Sequence, residues 1–184
     1  MYWIIGIIVV IVLIVLYIVA TYNGLVGMRN RVKDQWAQID VQLKRRFDLI
    51  PNLVETVKGY AKHEKDTLTE VIHLRSSYDS LSDKEKLDTN EQVSSGITKI
   101  MALAESYPEL KADKNFLNLS TKLSDVEDEI AKSRRYYNAV VRMYNNKVEM
   151  IPSNIVAKIF GYKQKNMFEA EAEERENVDV KLWR

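Results

Sequence analysis

From Met1 to Met28 there is no charged side chain, and Tyr2 to Ala20 is almost wholly Ile, Val and Leu. A stretch with no polar face cannot line the edge of a water-facing core. It must be a helix with apolar surroundings on every side. Its 19 residues, at ~1.5 Å each, reach roughly 28 Å, close to the ~30 Å hydrocarbon thickness of a bilayer. Tyr2, Trp3, Tyr17 and Tyr22 lie towards its ends, where amphipathic rings sit at headgroup level. A cleaved signal peptide fits less well. No basic residue precedes the apolar run, the run is long, and Ile18–Ala20 is a weak cleavage site. The membrane contact is therefore placed at residues 2–20 of a single N-terminal transmembrane helix. Arg29, Arg31 and Lys33 follow it closely, with Lys44, Arg45 and Arg46 beyond, whereas only the α-amino group precedes it. Positive charge stays inside, which predicts an outer N-terminus and a cytoplasmic C-terminal part.

The remainder reads as helix. Only 6 Gly and 3 Pro punctuate 184 residues, too few for a β-rich domain. One seam runs Val32, Trp36, Ile39, Leu43, Arg46, Ile50, Leu53, Val57, Tyr60; its steps of three and four mark a long packed helix. A second runs Phe116, Leu119, Leu123, Val126, Ile130, Ser133, Tyr137, Val140, Tyr144, Lys147 or Val148, Ile151. Shorter helical stretches lie between them. One covers Glu64 to Ser80, with Leu68, Val71, Ile72 and Tyr78 on its apolar face. The other covers Thr89 to Ser106, with Val93, Ile97, Ile100, Met101 and Ala104. Ser82 and Glu85 have capping-box spacing, and Tyr107-Pro108 stops the second stretch. Pro51 lies inside the first seam and predicts either a kink or a restart; the heptad stays in phase across it, which favours the kink. Ser153 can cap a short helix with Ile155, Val156, Ile159 and Phe160 on one side and Gly161 ending it. That helix, with Lys158, Lys163 and Lys165, can lie on a membrane surface, but its brevity favours docking onto the bundle end. After the acidic run from Asn166 to Asn177, the alternation of Val178, Val180 and Leu182 reads as an extended or disordered tail.

The predicted architecture is all-α: the span, then an antiparallel bundle of about four long helices plus a short C-terminal helix. The corresponding segments are 1–23, 24–152 and 153–184. Whether the span continues through Gly24 and Gly27 into the first bundle helix is left open.

The chain is poor in chemistry. It has no cysteine, so disulfides, thiolate nucleophiles and zinc–thiolate sites are excluded. His63 and His73 stand ten residues apart, about 280° around a helix, and share no face. Glu70 with His73 makes half of a di-iron motif that has no second half. No nucleophile elbow or phosphate-cradling glycine loop occurs. No catalytic residue, metal or cofactor is expected. Arg134-Arg135 beside Tyr136-Tyr137 could stack on bases, but a net charge of +1 and alternating helix faces argue against nucleic acid. The polar residues in the seams stand out. Arg46, Ser133 and Tyr137 fall on core positions near the middle of their helices and could meet if the two run antiparallel. Arg46 could fix helix register in a satisfied network, snorkel outward while Phe47 takes its place, or bind a ligand or partner.

Several blocks resemble the LemA family: Tyr22-Asn-Gly-Leu-Val26 with Arg29-Asn30, IDVQLKRRFDLIPNLVETVKGYAKHE from Ile39 to Glu64, and Glu105-Ser-Tyr-Pro-Glu-Leu-Lys111. RRYYNAVVRMYNNKVE from Arg134 to Glu149 and Pro152-Ser-Asn154 through FGYK complete the likeness, which covers nearly the whole chain in order. Met143, Ile151 and Met167 depart from the family pattern. The resemblance implies a bacterial protein with one N-terminal span, an antiparallel helical bundle in the cytoplasm and no assigned enzymatic activity. Some such relatives belong to magnetosome membrane gene sets and others lie beside membrane protease genes. The expected role is a non-enzymatic adaptor or scaffold that binds a protein partner or itself.

Overall fold

A computed structural model of the protein describes residues 2–61, 68, 69, 71–73 and 81–168. These residues form helix and no strand. The helices are α1 (Tyr2–Lys58), α2 (Asp83–Ser106), α3 (Pro108–Lys111), α4 (Lys114–Glu149) and α5 (Ser153–Ile159). Residues 68, 69 and 71–73 are helical as well, with Leu68 and Val71 buried and Ile72 exposed; Tyr78 and the tail from 169 lie outside the described residues. The packing resolves into two compact units, the described residues of Met1–Trp36 with Arg134–Arg184, and those of Ala37–Ser133.

The continuity question has a plain answer: α1 is one helix of 57 residues that runs through Gly24, Gly27 and Pro51. No restart occurs at Pro51. Its ring is exposed, while Ile50, Leu53 and Val54 beside it are 0–1% exposed. Burial of three such side chains, at ~1.5–3 kcal/mol each, outweighs the ~3 kcal/mol that a mid-helix proline costs.

In the unit Ala37–Ser133, α1 contributes Ile39, Leu43, Ile50, Leu53 and Val57 to the core, as the heptad predicts, and Phe47, which lies outside that seam, as well. Tyr60, its last expected member, is beyond the helix end and 38% exposed; its hydroxyl donates to Asp113 Oδ2 at 3.0 Å. Cross-links fix the directions. Asp40 meets Lys86, and Arg46 meets Asn90 and Ser94, so α2 runs parallel to α1. Arg46 also meets Glu127, and Tyr60 meets Asp113, so α4 runs antiparallel to α1. Close approach of the segment around Val71 to α2 requires Gly96: a Cβ there would stand 2.6 Å from Val71 Cγ2.

Helix ends follow local chemistry. Ser82 and Glu85 form the capping box in full, and the helix they open starts at Asp83, six residues before the expected Thr89. Pro108 occupies the first turn of α3, where its missing N–H is harmless. Asp113 Oδ1 accepts from the N–H groups of Asn115 and Phe116 and caps α4. Two expectations at the chain's far end need correction. Ile151 is not a seam residue, since α4 ends at Glu149 and Ile151 is 83% exposed. Ser153 is not the cap of α5. Pro152 holds the cap position, and the Ser153 hydroxyl donates back to the Met150 carbonyl at 2.9 Å.

Candidate functional site

Two polar constellations stand out, one in each unit. The first is built on Arg46. Its heptad position carries it into the core of Ala37–Ser133, where it is 4% exposed, and Phe47 beside it is buried too. A guanidinium in such a place is tolerable only with hydrogen-bonded partners. Nη1 donates to Asn90 Oδ1 at 2.8 Å and to Ser94 Oγ at 2.9 Å, and Nη2 pairs with Glu127 Oε2 at 2.7 Å. Ser94 is oriented by donating to the Asn90 carbonyl at 3.1 Å. One fork thus ties α1 to α2 and α4. Nearby, Lys86 Nζ reaches Asp40 at 2.7 Å across the same α1–α2 seam. Arg45, Asp48, Lys122, Asp125 and Glu129 line an open groove of about 390 Å³. Both signs of charge alternate there, a pattern suited to solvation. Among the described residues no three His, Asp or Glu side chains come together to hold a metal ion; His63 and Glu70 lie outside those residues.

The sequence expectation placed Ser133 and Tyr137 beside Arg46. The carboxylate that answers Arg46 is instead Glu127, six residues before Ser133 and so about 9 Å along the helix. A charged partner compensates a buried guanidinium better than hydroxyls do. Ser133 is half-buried at the end of the Arg46 unit, whereas Tyr137 belongs to the other unit.

There Tyr137 is part of the second constellation. After α5 the chain is extended over residues 162–168 and lies along α4. Asn145 Nδ2 donates to the Lys165 carbonyl at 2.8 Å while its Oδ1 accepts from the Lys165 N–H at 2.9 Å. Asn138 grips Phe168 in the same two-way manner, at 2.9 and 2.8 Å. The spacing is a geometric match: seven helical residues rise ~10.5 Å, and three extended residues span ~10 Å. Tyr144, 2% exposed, donates to the Lys163 carbonyl at 2.9 Å, and Tyr137 makes a longer bond of 3.5 Å to the Asn166 carbonyl. Burial raises the Tyr144 phenol above its ordinary pKa, so it stays a donor. Phe168, on this strap, sits in an aromatic box: it stacks on Trp36 at 5.7 Å, meets Tyr137 edge-on at 4.9 Å, and lies under the Arg134 guanidinium at 5.4 Å. The signal was present as Tyr137-Asn138 and Tyr144-Asn145, the same dipeptide repeated one heptad apart. The seams drew attention to the tyrosines and passed over the asparagines.

In both constellations the polar groups are engaged in tying one element to another. Among the described residues they define an all-helical fold with built polar cross-links within each unit and one helix long and apolar enough to cross a membrane. The LemA family profile matches residues 35–182, and the chain belongs to the LemA family. It is 29% identical to Protein LemA of Metamycoplasma hominis, over 86% of this chain and 73% of that protein. It is 26% identical to Magnetosome protein MamQ 2 of Paramagnetospirillum magneticum and 24% identical to Magnetosome protein MamQ of Magnetospirillum gryphiswaldense. Those two matches cover 80% of this chain and 64% of each relative, so the chain spans just under two thirds of their length.

Proposed function

We propose that this protein is a membrane-anchored, non-enzymatic interaction scaffold or adaptor whose helical part lies at the cytoplasmic face. The observation that carries the reading is α1. Its most apolar window is only 6% buried, unlike the core helix of a soluble protein, and it continues without a break into the first helix of the soluble part. Residues 1–23 act as the anchor, 24–152 as the helical bundle, and 153–184 as an appended segment. Arg29, Arg31 and Lys33 just past the span support the cytoplasmic placement. The several partners of Arg46 support its reading as a register device over a ligand site. The curated relatives named as magnetosome proteins support a role at a membrane-bound structure.

Self-association is a second reading with its own observation. Tyr136, Met143 and Met150 follow one another at heptad spacing along and just past α4, and all are at least 54% exposed. A stripe of that period can seat a second helix of the same kind. Crosslinking in intact cells, then purification through a C-terminal tag and mass spectrometry, separates the two. A reproducible membrane partner is the result expected of an adaptor. Recovery of crosslinked copies of this chain alone would replace it with the self-associating scaffold.

A further inference from the structure

We infer that α5 and the turn before it form a second membrane contact, seated in the headgroup region of the same bilayer that α1 crosses. The inference rests on the anchoring proposed above. The short helix has two faces. Val156 and Ala157 are buried against Leu25 of α1, with Ile18 packed on the same cluster. The other face shows Ile155 and Ile159, 59% and 68% exposed and one turn apart, flanked by Ile151 at 83% and Phe160 at 50%. Four large apolar side chains bared side by side on so short a segment are out of place in water.

Their height along α1 identifies what covers them. Ile18 lies inside the apolar stretch that fills the span, and the Phe160 ring meets Tyr22 of α1 at 4.7 Å. From Ile18 to Leu25 the helix rises ~10 Å, which brackets the ~5–8 Å headgroup layer on one side of a bilayer. The bared face is therefore continuous with the lipid-facing surface of α1. Charge points the same way. From Met150 to Phe168 the chain carries Lys158, Lys163 and Lys165 and no acidic residue. Arg29 adds a fourth cation over the Tyr162 ring at 5.6 Å. Apolar side chains directed into the acyl boundary, with lysines beside them for anionic headgroups, are the pattern of an interfacial helix. The occupant assigned to this face is the lipid bilayer.

The test uses the full-length chain in vesicles of mixed zwitterionic and anionic phospholipid. The protein has no native cysteine, so single variants Leu13→Cys, Ile155→Cys, Ile159→Cys and Lys122→Cys can each carry an environment-sensitive fluorophore. Nitroxide-labelled lipids then report depth. The expected result is quenching at Ile155 and Ile159 several-fold above that at Lys122, stronger for shallow nitroxides than for deep ones. Leu13 should be quenched best by the deep nitroxides. If Leu13 is quenched while Ile155 and Ile159 match Lys122, the inference fails and the anchor stands. If Leu13 is not quenched, the anchoring itself fails. A blue-shifted signal at Ile155 and Ile159 without lipid quenching would assign the face to protein and overturn the bilayer as its occupant.

Discussion

The two units bind their elements by different chemistry. In Ala37–Ser133, charged side chains bridge helix to helix: Arg46 to Asn90, Ser94 and Glu127, and Lys86 to Asp40. Among the residues around α5, neutral amides of α4 grip the backbone of an extended segment through Asn138 and Asn145. The first arrangement is side-chain specific. Each helix must bring the right group at the right turn, and a misregistered helix strands a buried charge. The second reads only peptide groups, so it holds the strap without depending on most of its side chains; Phe168 in its aromatic box and Tyr162 against Tyr22 and Arg29 are the exceptions. A single loss should therefore cost more in the first unit than in the second.

The largest expected effect is Glu127→Ala. It leaves the Arg46 guanidinium buried without its carboxylate and should destabilise the Ala37–Ser133 unit by about 2–3 kcal/mol in denaturant unfolding. The figure lies below the ~3–5 kcal/mol of a fully buried pair because the Glu127 side chain is itself 43% exposed. A loss no greater than that of Glu129→Ala, whose carboxylate pairs with the exposed Lys132, would remove the contrast. Gly96→Ala comes next. Helix propensity alone would gain ~1 kcal/mol, but the new methyl meets the stiff Val71 side chain. The net expectation is a loss of roughly 1–2 kcal/mol, with rescue by Val71→Ala in the same background. Asn145→Leu removes two strap bonds at a net ~1–2 kcal/mol. Hydrogen exchange should show faster exchange at the Lys165 amide with α2 unchanged; simultaneous loosening of α2 would mean the units do not behave separately.

The smallest effect is one of pH. The Phe116 N–H, with the Tyr60 hydroxyl and the Asn115 N–H, holds the Asp113 carboxyl below the ordinary aspartate value, and the Ser82 hydroxyl and N–H do the same for Glu85. A depressed folded value means the stabilisation is complete above the unfolded pKa, near 4, and is lost as pH falls through the lower folded one. Asp113→Asn should flatten the acid limb of stability against pH while leaving the neutral limb's slope unchanged. An unaltered acid limb would show that the cap's charge has no weight in stability.

Much of the helical layout was legible because burial repeats with the helix. Ile39, Leu43, Ile50 and Leu53 on α1, and Leu123, Val126 and Ile130 on α4, are where the heptads put them. Arg46 was legible as a buried charge for the same reason. Its partners were not, because periodicity identifies a face without giving the rotation and height of the facing helix. Asn90 and Ser94 read as ordinary polar residues, and Glu127 sits off the α4 seam. The capping box of Ser82 and Glu85 marks the α2 start at Asp83, but the apolar pattern begins only at Val93, so periodicity alone places the start too late. The strap was invisible to a search for periodicity because extended backbone held by side-chain amides has no hydrophobic period of its own. At α5 the sequence puts Ile155, Val156, Ile159 and Phe160 on one side, but the structure divides them: Val156 is buried beside Ala157, while Ile155, Ile159 and Phe160 are exposed. In a helix beside a membrane, the more apolar face need not be the one that packs on protein.

The central claim is that α1 crosses the membrane and holds the helical part on its cytoplasmic side. The most direct measurement is labelling of Lys122→Cys in intact cells with a membrane-impermeant maleimide, followed by an alkaline wash of the membranes. The account predicts a protein that stays in the washed membrane and reacts only after the cells are opened. Release by the wash, or reaction in unbroken cells, would contradict it.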